Sequence, residues 1–240
     1  MTVPGPLLSI VIPAYDEAER IGPSLRSVLD WADRDGRPFE ILVVDDGSRD
    51  ATAERVRSFG RQEVRLLGGA TNRGKGAALR TGVTASRGDR VLLADADFST
   101  PVSEVVRLEQ HLEHADVVLG SRALAESRIT LRQSSWREAA GKLFNVAVRL
   151  SGVHGFRDTQ CGFKLLRGDV ARRLFAALTV DRYAYDVELV WLAQRLGYRV
   201  VEVGVEWRND PASRVHLLRD GTGMLLDLCR FRLRRHRVDA

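Results

Sequence analysis

The stretch "LLADADFSTP" ends an apolar run in two carboxylates one residue apart, Asp95 and Asp97. Burying an unpaired carboxylate is costly, so a cation is expected to meet them. Alternate side chains of an extended strand share a face, which would set the two carboxylates side by side at a strand end. Hard divalent cations such as Mg²⁺ or Mn²⁺ take oxygen ligands, and a typical site joins one or two carboxylates to substrate phosphates and water. The competing reading is a pair of helix-capping aspartates, with Ser99 and Thr100 able to share that task.

Other runs end in chemistry-bearing residues too. "SIVIPAYDE" delivers Tyr15, Asp16 and Glu17, "ILVVDDGS" delivers Asp45 and Asp46, and "VVLGSR" delivers Ser121 and Arg122. In "GATNRGKGAAL", Gly69, Gly74 and Lys75 keep the register of a phosphate-binding P-loop. Gly76 stands where that motif needs a hydroxyl, and the loop does not follow its strand directly. The milder reading is a turn into a helix whose N-terminus and lysine face the anionic site. Arg122, Arg132, Arg137 and Arg214 fall in loops or at element ends. Each alone reads as a surface residue; together they complement the acids, carboxylates for a metal and guanidiniums for phosphate oxygens.

The elements that must position these groups alternate at short intervals. Strands are expected at "LLSIVIPAY", "FEILVVDDGS", "VRLLGG", "DRVLLADAD" and "ADVVLGSR". Helices are expected at "EAERIGPSLRSVLDWAD", "RDATAERVRSF" with Ser48 or Asp50 as cap, "GKGAALRTGVTAS" and "SEVVRLEQHLEH". Such alternation predicts an α/β fold with a doubly wound, mostly parallel sheet and helices on both faces. Ligands in these sheets bind beyond the carboxyl ends of the strands, which gathers the acidic run ends at one edge. After about residue 126 the pattern changes to a loop and a long helix over 134–150, an irregular polar segment "FRDTQCGFKLLRGD", a helix in "DRYAYDVELVWLAQRLG" and a closing strand in "YRVVEVGVEWRND".

Composition sets limits. The chain has 240 residues, 44% hydrophobic and 29% charged, enough for one sizeable core, and one domain is expected. Cys161 and Cys229 lie far apart with no metal-type spacing, which argues against a disulfide framework or a zinc site and fits a cytoplasmic setting. Pro13 interrupts the first apolar stretch, which lacks a basic n-region and reads as a strand and not as a signal peptide. No apolar run reaches the roughly 18 residues of a membrane span. The formal charge of +5 is concentrated in "CRFRLRRHR", where Arg230, Arg234 and Arg237 share one helical face and Met224, Leu225, Leu228 and Phe231 another. That helix reads either as a solvated basic face or as a contact with an anionic membrane surface. No recognition motif points to nucleic acid.

"SIVIPAYDEAERI", "ILVVDDGSRDAT", "NRGKGAALRTG", "LLADADFSTP", "VVLGSRA", "RDTQCGFKL" and "YDVELVWLAQRLGY", in this order, resemble the inverting family 2 glycosyltransferases of GT-A fold. More narrowly they resemble the dolichyl-phosphate glucosyltransferases and related polyprenyl-phosphate sugar synthases. The likeness runs from about Leu8 to about Arg214, and "RDTQCGFK" followed by "YAYDVEL" is its most specific part. It implies one Rossmann-like GT-A domain with a nucleotide-sugar half over about 8–125, an acceptor half over about 126–215 and a basic amphipathic tail over about 216–240.

The implied reaction moves a sugar, with inversion, from a nucleotide-diphosphate donor to a polyprenyl phosphate. UDP is favoured over GDP, and glucose or an N-acetylhexosamine such as GalNAc is the expected sugar. Position by position, Pro13, Tyr15 and Glu17 would border the nucleoside and Asp46 the base or ribose. Asp95 and Asp97 would hold Mg²⁺ or Mn²⁺ and the donor, with Lys75, Arg122 and Arg132 near phosphates. Asp158 and Gln160 would lie near sugar and acceptor, Asp186 and Glu188 would face the reaction centre, and Ser213 with Arg214 would close over the diphosphate. Catalytic roles fall to Asp97, Arg122, Asp158 and Asp186. Ser99 stands where related mannose synthases often carry Gln, which leaves the third metal ligand open. Many relatives also carry membrane spans. Here the acceptor would be reached by peripheral contact at the cytoplasmic face, through Trp136, Leu143 and Phe144 of the 134–150 helix or through the basic tail. Two other readings stand beside this one: transfer to a soluble hydroxyl or glycan acceptor, and a non-catalytic nucleotide-sugar sensor.

Overall fold

Ile10 and Ile12 point to one side of the first strand and Val11 to the other, and all three are fully buried. A strand apolar on both faces needs a covering layer on each side. The computed structural model, which describes residues 8–131, 133, 141, 144–146, 148–149, 152–210, 223–224, 226–228 and 230, supplies both layers.

The strands are β1 (Leu8–Ala14), β2 (Phe39–Asp46), β3 (Val64–Gly69), β4 (Arg90–Leu93), β5 (Val117–Ser121), β6 (Arg128–Leu131), β7 (Lys164–Arg167), β8 (Val200–Gly204) and β9 (Glu206–Arg208). The helices are α1 (Ala18–Asp35), α2 (Thr52–Arg57), α3 (Lys75–Ala85), α4 (Val105–Glu109), α5 (Gly168–Ala177) and α6 (Tyr185–Arg195). Seven strands form one sheet in the order β3-β2-β1-β4-β7-β5-β8, and β6 pairs with β9 in a separate ribbon. Every pairing in the large sheet is parallel except the two made by β7, which runs antiparallel between β4 and β5. On one face Val11, Leu42 and Val44 pack with Leu79 and Val83 of α3, Phe175 of α5 and Val187 of α6. On the other, Ile10, Ile12 and Val43 pack with Ile21, Leu25 and Val28 of α1 and Leu108 of α4.

This is the expected Rossmann-like architecture, with corrections in the second half. The segment "FRDTQCGFKLLRGD", expected to be irregular, contains β7 and opens α5. Part of the expected loop after residue 126 is β6, and the closing strand is two, β8 and β9, parted at Val205. The helix expected over "SEVVRLEQHLEH" shortens to a 3₁₀ turn at Val102–Glu104 followed by α4. Most of the 134–150 helix, including Trp136 and Leu143, and Leu225, Phe231, Arg234 and Arg237 of the basic helix lie outside the described residues. No helix among the described residues is long and apolar enough to cross a membrane.

Candidate active site

The carboxyl ends of β1, β2, β4 and β5 open at one edge of the sheet, and the antiparallel β7 begins at that same edge. Around it collect the turns after β1 and β4, the N-termini of α3 and α6, and the segment before β7. The backbone is strained here. Asp16, after Tyr15, has φ 54, and Phe98, after Asp97, has φ 43, a region that non-glycine residues occupy at a cost.

Asp95 and Asp97 sit in a turn and not in the extended strand that their spacing suggested. β4 ends at Leu93, and Phe98 N–H donates to Asp95 O at 3.0 Å. The two carboxylates are therefore brought together by a reversal of the chain. Asp97 Oδ1 accepts from Ser99 N–H at 2.9 Å, and Arg20 Nη1 lies 3.7 Å from Asp97 Oδ2. Lys75 opens α3 and sets its ammonium 2.5 Å from Asp95 Oδ1. Burial alone would push the Asp95 carboxyl up, but Lys75, with Lys164 and Arg122 farther off, holds it below the usual carboxylate range. Asp97 moves the other way, raised by burial and then by the neighbouring Asp95. Burial would lower the Lys75 ammonium, yet Asp95 and Asp186 hold it above its ordinary value.

The segment before β7 supplies the floor. An ideal Cβ on Gly162 would stand 2.2 Å from Asp95 Oδ2, so the carboxylate rests against bare backbone. Asp158 is buried and clasps Arg122, accepting from Nε at 2.7 Å, from Nη2 at 2.9 Å and from the Arg122 backbone N–H at 3.0 Å. Burial opposes ionisation of Asp158, but the Arg122 guanidinium outweighs it and lowers the carboxyl to about 2. Arg122 also stacks 5.5 Å from the Trp207 ring of β9. Gln160 is half-buried, and its N–H donates to Asp158 Oδ1 at 3.1 Å.

Asp186, in the first turn of α6, is paired with the ammonium of Lys164, the first residue of β7. Lys164 has no exposed surface and donates to Cys161 O as well. The neighbouring Tyr185 ring lies 5.8 Å from Lys75 Nζ and 5.9 Å from Lys164 Nζ. Burial, followed by Asp186 and Asp95, pushes the Tyr185 phenol well above its ordinary value.

Two expected contacts also carry framework bonds. Glu188 turns to the loop before α6 and away from Asp186. Its carboxylate accepts from Thr179 N–H at 2.9 Å, Val180 N–H at 2.7 Å and Thr179 Oγ1 at 2.7 Å, and so anchors the loop before α6. Positions two apart on a helix point in nearly opposite directions, so Asp186 and Glu188 cannot share a face. Asp46 accepts from Arg73 N–H at 2.9 Å and Gly74 N–H at 2.7 Å and shapes the turn into α3. Gly74 takes φ 111 there, and a Cβ would stand 2.5 Å from Asp181 O.

Pro13, near the end of β1, and Tyr15, just after it, are half-buried. Glu17 is held by Arg20 through two contacts of 2.6 Å, and Arg20 also reaches Asp210 Oδ2 at 2.6 Å. Asp50, expected to cap α2, accepts from Thr52 N–H there and from Ala18 N–H at the start of α1. Arg132, Arg137, Ser213 and Arg214 lie outside the described residues. The sequence reading missed Arg20, Gly162, Lys164 and Tyr185. The three-residue spacing of Glu17 and Arg20 was the one local signal among them.

Among the described residues no group of three or more His, Cys, Asp or Glu is placed to hold a metal ion. Asp95 and Asp97 nonetheless fit one. They share one tight turn, closed by the Phe98 N–H to Asp95 O bond, and a Mg²⁺ or Mn²⁺ shell is commonly completed by substrate phosphate and water.

Comparison with known proteins gives a consistent picture. The family model described as glycosyl transferase family 2 matches residues 9–175. A dolichyl-phosphate beta-glucosyltransferase of Dictyostelium discoideum is 34% identical over 242 residues, covering 95% of this chain and 74% of that protein. The Mus musculus protein of the same description is 36% identical over 243 residues, covering 95% and 75%. Among solved structures, mannosyl-3-phosphoglycerate synthase from Rubrobacter xylanophilus superposes with a TM-score of 0.69 at 23% identity, covering 98% of this chain and 75% of that one. Glucosyl-3-phosphoglycerate synthase from Mycobacterium tuberculosis, in complex with Mn²⁺, UDP and glucosyl-3-phosphoglycerate, has a TM-score of 0.67 at 22% identity, covering 96% and 80%. At these identities the two structures show a shared fold.

Proposed function

The chain belongs to glycosyl transferase family 2, and on that premise we propose that it transfers glucose from UDP-glucose to a polyprenyl phosphate with inversion at the anomeric carbon. The observation that carries this reading is the state of the acids. Asp95 is paired with Lys75, Asp158 with Arg122 and Asp186 with Lys164, Asp97 is assigned to the cation beside Asp95, and Asp46 and Glu188 accept from backbone amides. A hydroxyl nucleophile needs a carboxylate able to take its proton, a contribution of about 10² to 10⁴ in rate. A phosphate monoester, with a second pKa of about 6, arrives largely ionised and needs none. This arrangement suits an acceptor of the second kind.

A divalent cation held by Asp95 and Asp97 would neutralise charge on the leaving diphosphate. Lys75 stands beside Asp95 at the N-terminus of α3, where backbone N–H groups and the ammonium favour phosphate oxygens. Arg122, oriented by Asp158 and Trp207, keeps a partly exposed guanidinium at the end of β5 for a second anionic group. Pro13 and Tyr15 border the nucleoside. The lipid acceptor is reached by peripheral contact at a membrane surface, on the cytoplasmic face.

The test is to incubate the purified protein with Mn²⁺ or Mg²⁺, polyprenyl phosphate in detergent, and labelled UDP-glucose, UDP-GalNAc or GDP-sugars, and to follow label into the organic phase. Label from UDP-glucose, lost with EDTA, is the expected result. Label from GalNAc or a GDP-sugar instead would replace the donor. Transfer to a soluble hydroxyl compound without lipid would replace the acceptor.

A further inference from the structure

Lys164 is a buried charge with no evident part in sugar transfer. It opens the antiparallel strand β7, has no exposed surface, and gives its ammonium to Asp186 on α6 and to the carbonyl of Cys161. Desolvating such a pair is expensive, and well-packed apolar residues of the same volume commonly serve stability as well or better. The pair therefore calls for a role other than stability.

Its second contact supplies one. Cys161 O immediately precedes Gly162, the residue on which the Asp95 carboxylate rests, with an ideal Cβ 2.2 Å from Oδ2 and 2.7 Å from Oδ1. Gly120 N–H of β5 fixes the carbonyl two residues on, that of Phe163, at 2.9 Å. The backbone under Asp95 is thus pinned from two directions, by β5 and by Lys164. Lys75 closes over Asp95 from the helix side at 2.5 Å.

We propose that Lys164 is a positioning residue that ties α6, through Asp186, to the Cys161–Gly162 backbone supporting Asp95, and so holds the two turn carboxylates in place for a divalent cation. The inference rests on the assignment of Asp95 and Asp97 as metal ligands in the function proposed above. Groups behind the ligand shell that orient metal-binding side chains typically govern about 10- to 100-fold in affinity.

The test titrates Mn²⁺ into the full chain in the presence of UDP, reading free Mn²⁺ by electron paramagnetic resonance, with Tm measured in the same buffer. Lys164→Met is expected to bind Mn²⁺ about 10- to 100-fold more weakly at temperatures well below its Tm. Because that variant strands a buried carboxylate and risks not folding, Lys164→Met/Asp186→Asn provides a neutral pair. The double variant is expected to hold or regain Tm while staying weak for Mn²⁺. Wild-type Mn²⁺ affinity in the double variant, or in a folded Lys164→Met, would overturn the proposal and leave the lysine structural. Absence of Mn²⁺ binding by the unaltered protein would instead overturn the metal assignment, and the inference with it.

Discussion

Gly162→Ala puts the floor of the site to the sharpest test. The new methyl would stand 2.2 Å from Asp95 Oδ2, 2.5 Å from Cγ and 2.7 Å from Oδ1, so the carboxylate must retreat by about 1 Å to reach ordinary contact. It has little room to do so. Lys75 Nζ is 2.5 Å away on the other oxygen, and the turn is fixed by the Phe98 N–H to Asp95 O bond. Gly162 does not lie in the left-handed backbone region, so alanine brings no φ penalty and the fold should survive with a small change in Tm. A displacement near 1 Å of a group that positions substrate costs about 10²-fold in rate, equivalent to about 2.7 kcal/mol at the transition state. The assay is kcat/KM for the proposed Mn²⁺-dependent glucosyl transfer to polyprenyl phosphate, with Tm as control. Turnover within about threefold of the unaltered protein would refute the argument that bare backbone at 162 sets Asp95.

Other perturbations separate the acids by role. Asp97→Ala is expected to lose nearly all transfer, whereas Asp186→Asn should lower turnover yet leave it measurable across the pH range; equal loss in both would assign Asp186 the role of general base and favour a hydroxyl acceptor. Asp158, at about 2 in the folded protein against about 3.9 unfolded, contributes stability above about pH 5 that is lost as pH falls toward 2, on the order of 2 to 3 kcal/mol. Asp158→Asn should therefore flatten the acid limb of Tm between those pH values, and an unchanged limb would refute the pairing. Glu188→Gln is expected to cost about 1 to 3 kcal/mol in urea unfolding through its three loop contacts, with little change in kcat for the folded fraction; a selective loss of kcat would restore Glu188 to the site.

Much of the site was legible because its residues stand where period and topology coincide. Apolar runs ending in Asp46, Asp95 and Arg122 announce parallel strands, and parallel strands share an open edge. Even so, Asp95 and Asp97 came together by a turn after Leu93, since an Asp-rich, Phe98-containing reversal looks like strand continuation until its hydrogen bonds are known. β7 was illegible for a different reason. "KLLR" is four residues long within a polar stretch, and its place in the sheet comes from pairing with Arg90–Leu93 and Val117–Leu119, which no local pattern encodes. Lys164 was missed because a lysine in sequence reads as solvated, and its burial depends on Asp186 arriving from a distant helix. Glu188 was misplaced by reading "YDVEL" as an acidic unit, although a helical period already sets positions 186 and 188 on different sides.

The antiparallel strand also dictates an order of assembly. As the chain leaves the ribosome, β1 to β4 are able to form a parallel sheet whose β4 edge has no neighbour, a bare row of backbone groups open to wrong partners. That edge is closed only when Lys164–Arg167 is available to pair with Arg90–Leu93. The same four residues bring Lys164 to Asp186 and the Gly162 backbone to Asp95. Sheet closure and completion of the candidate site thus depend on the same four residues.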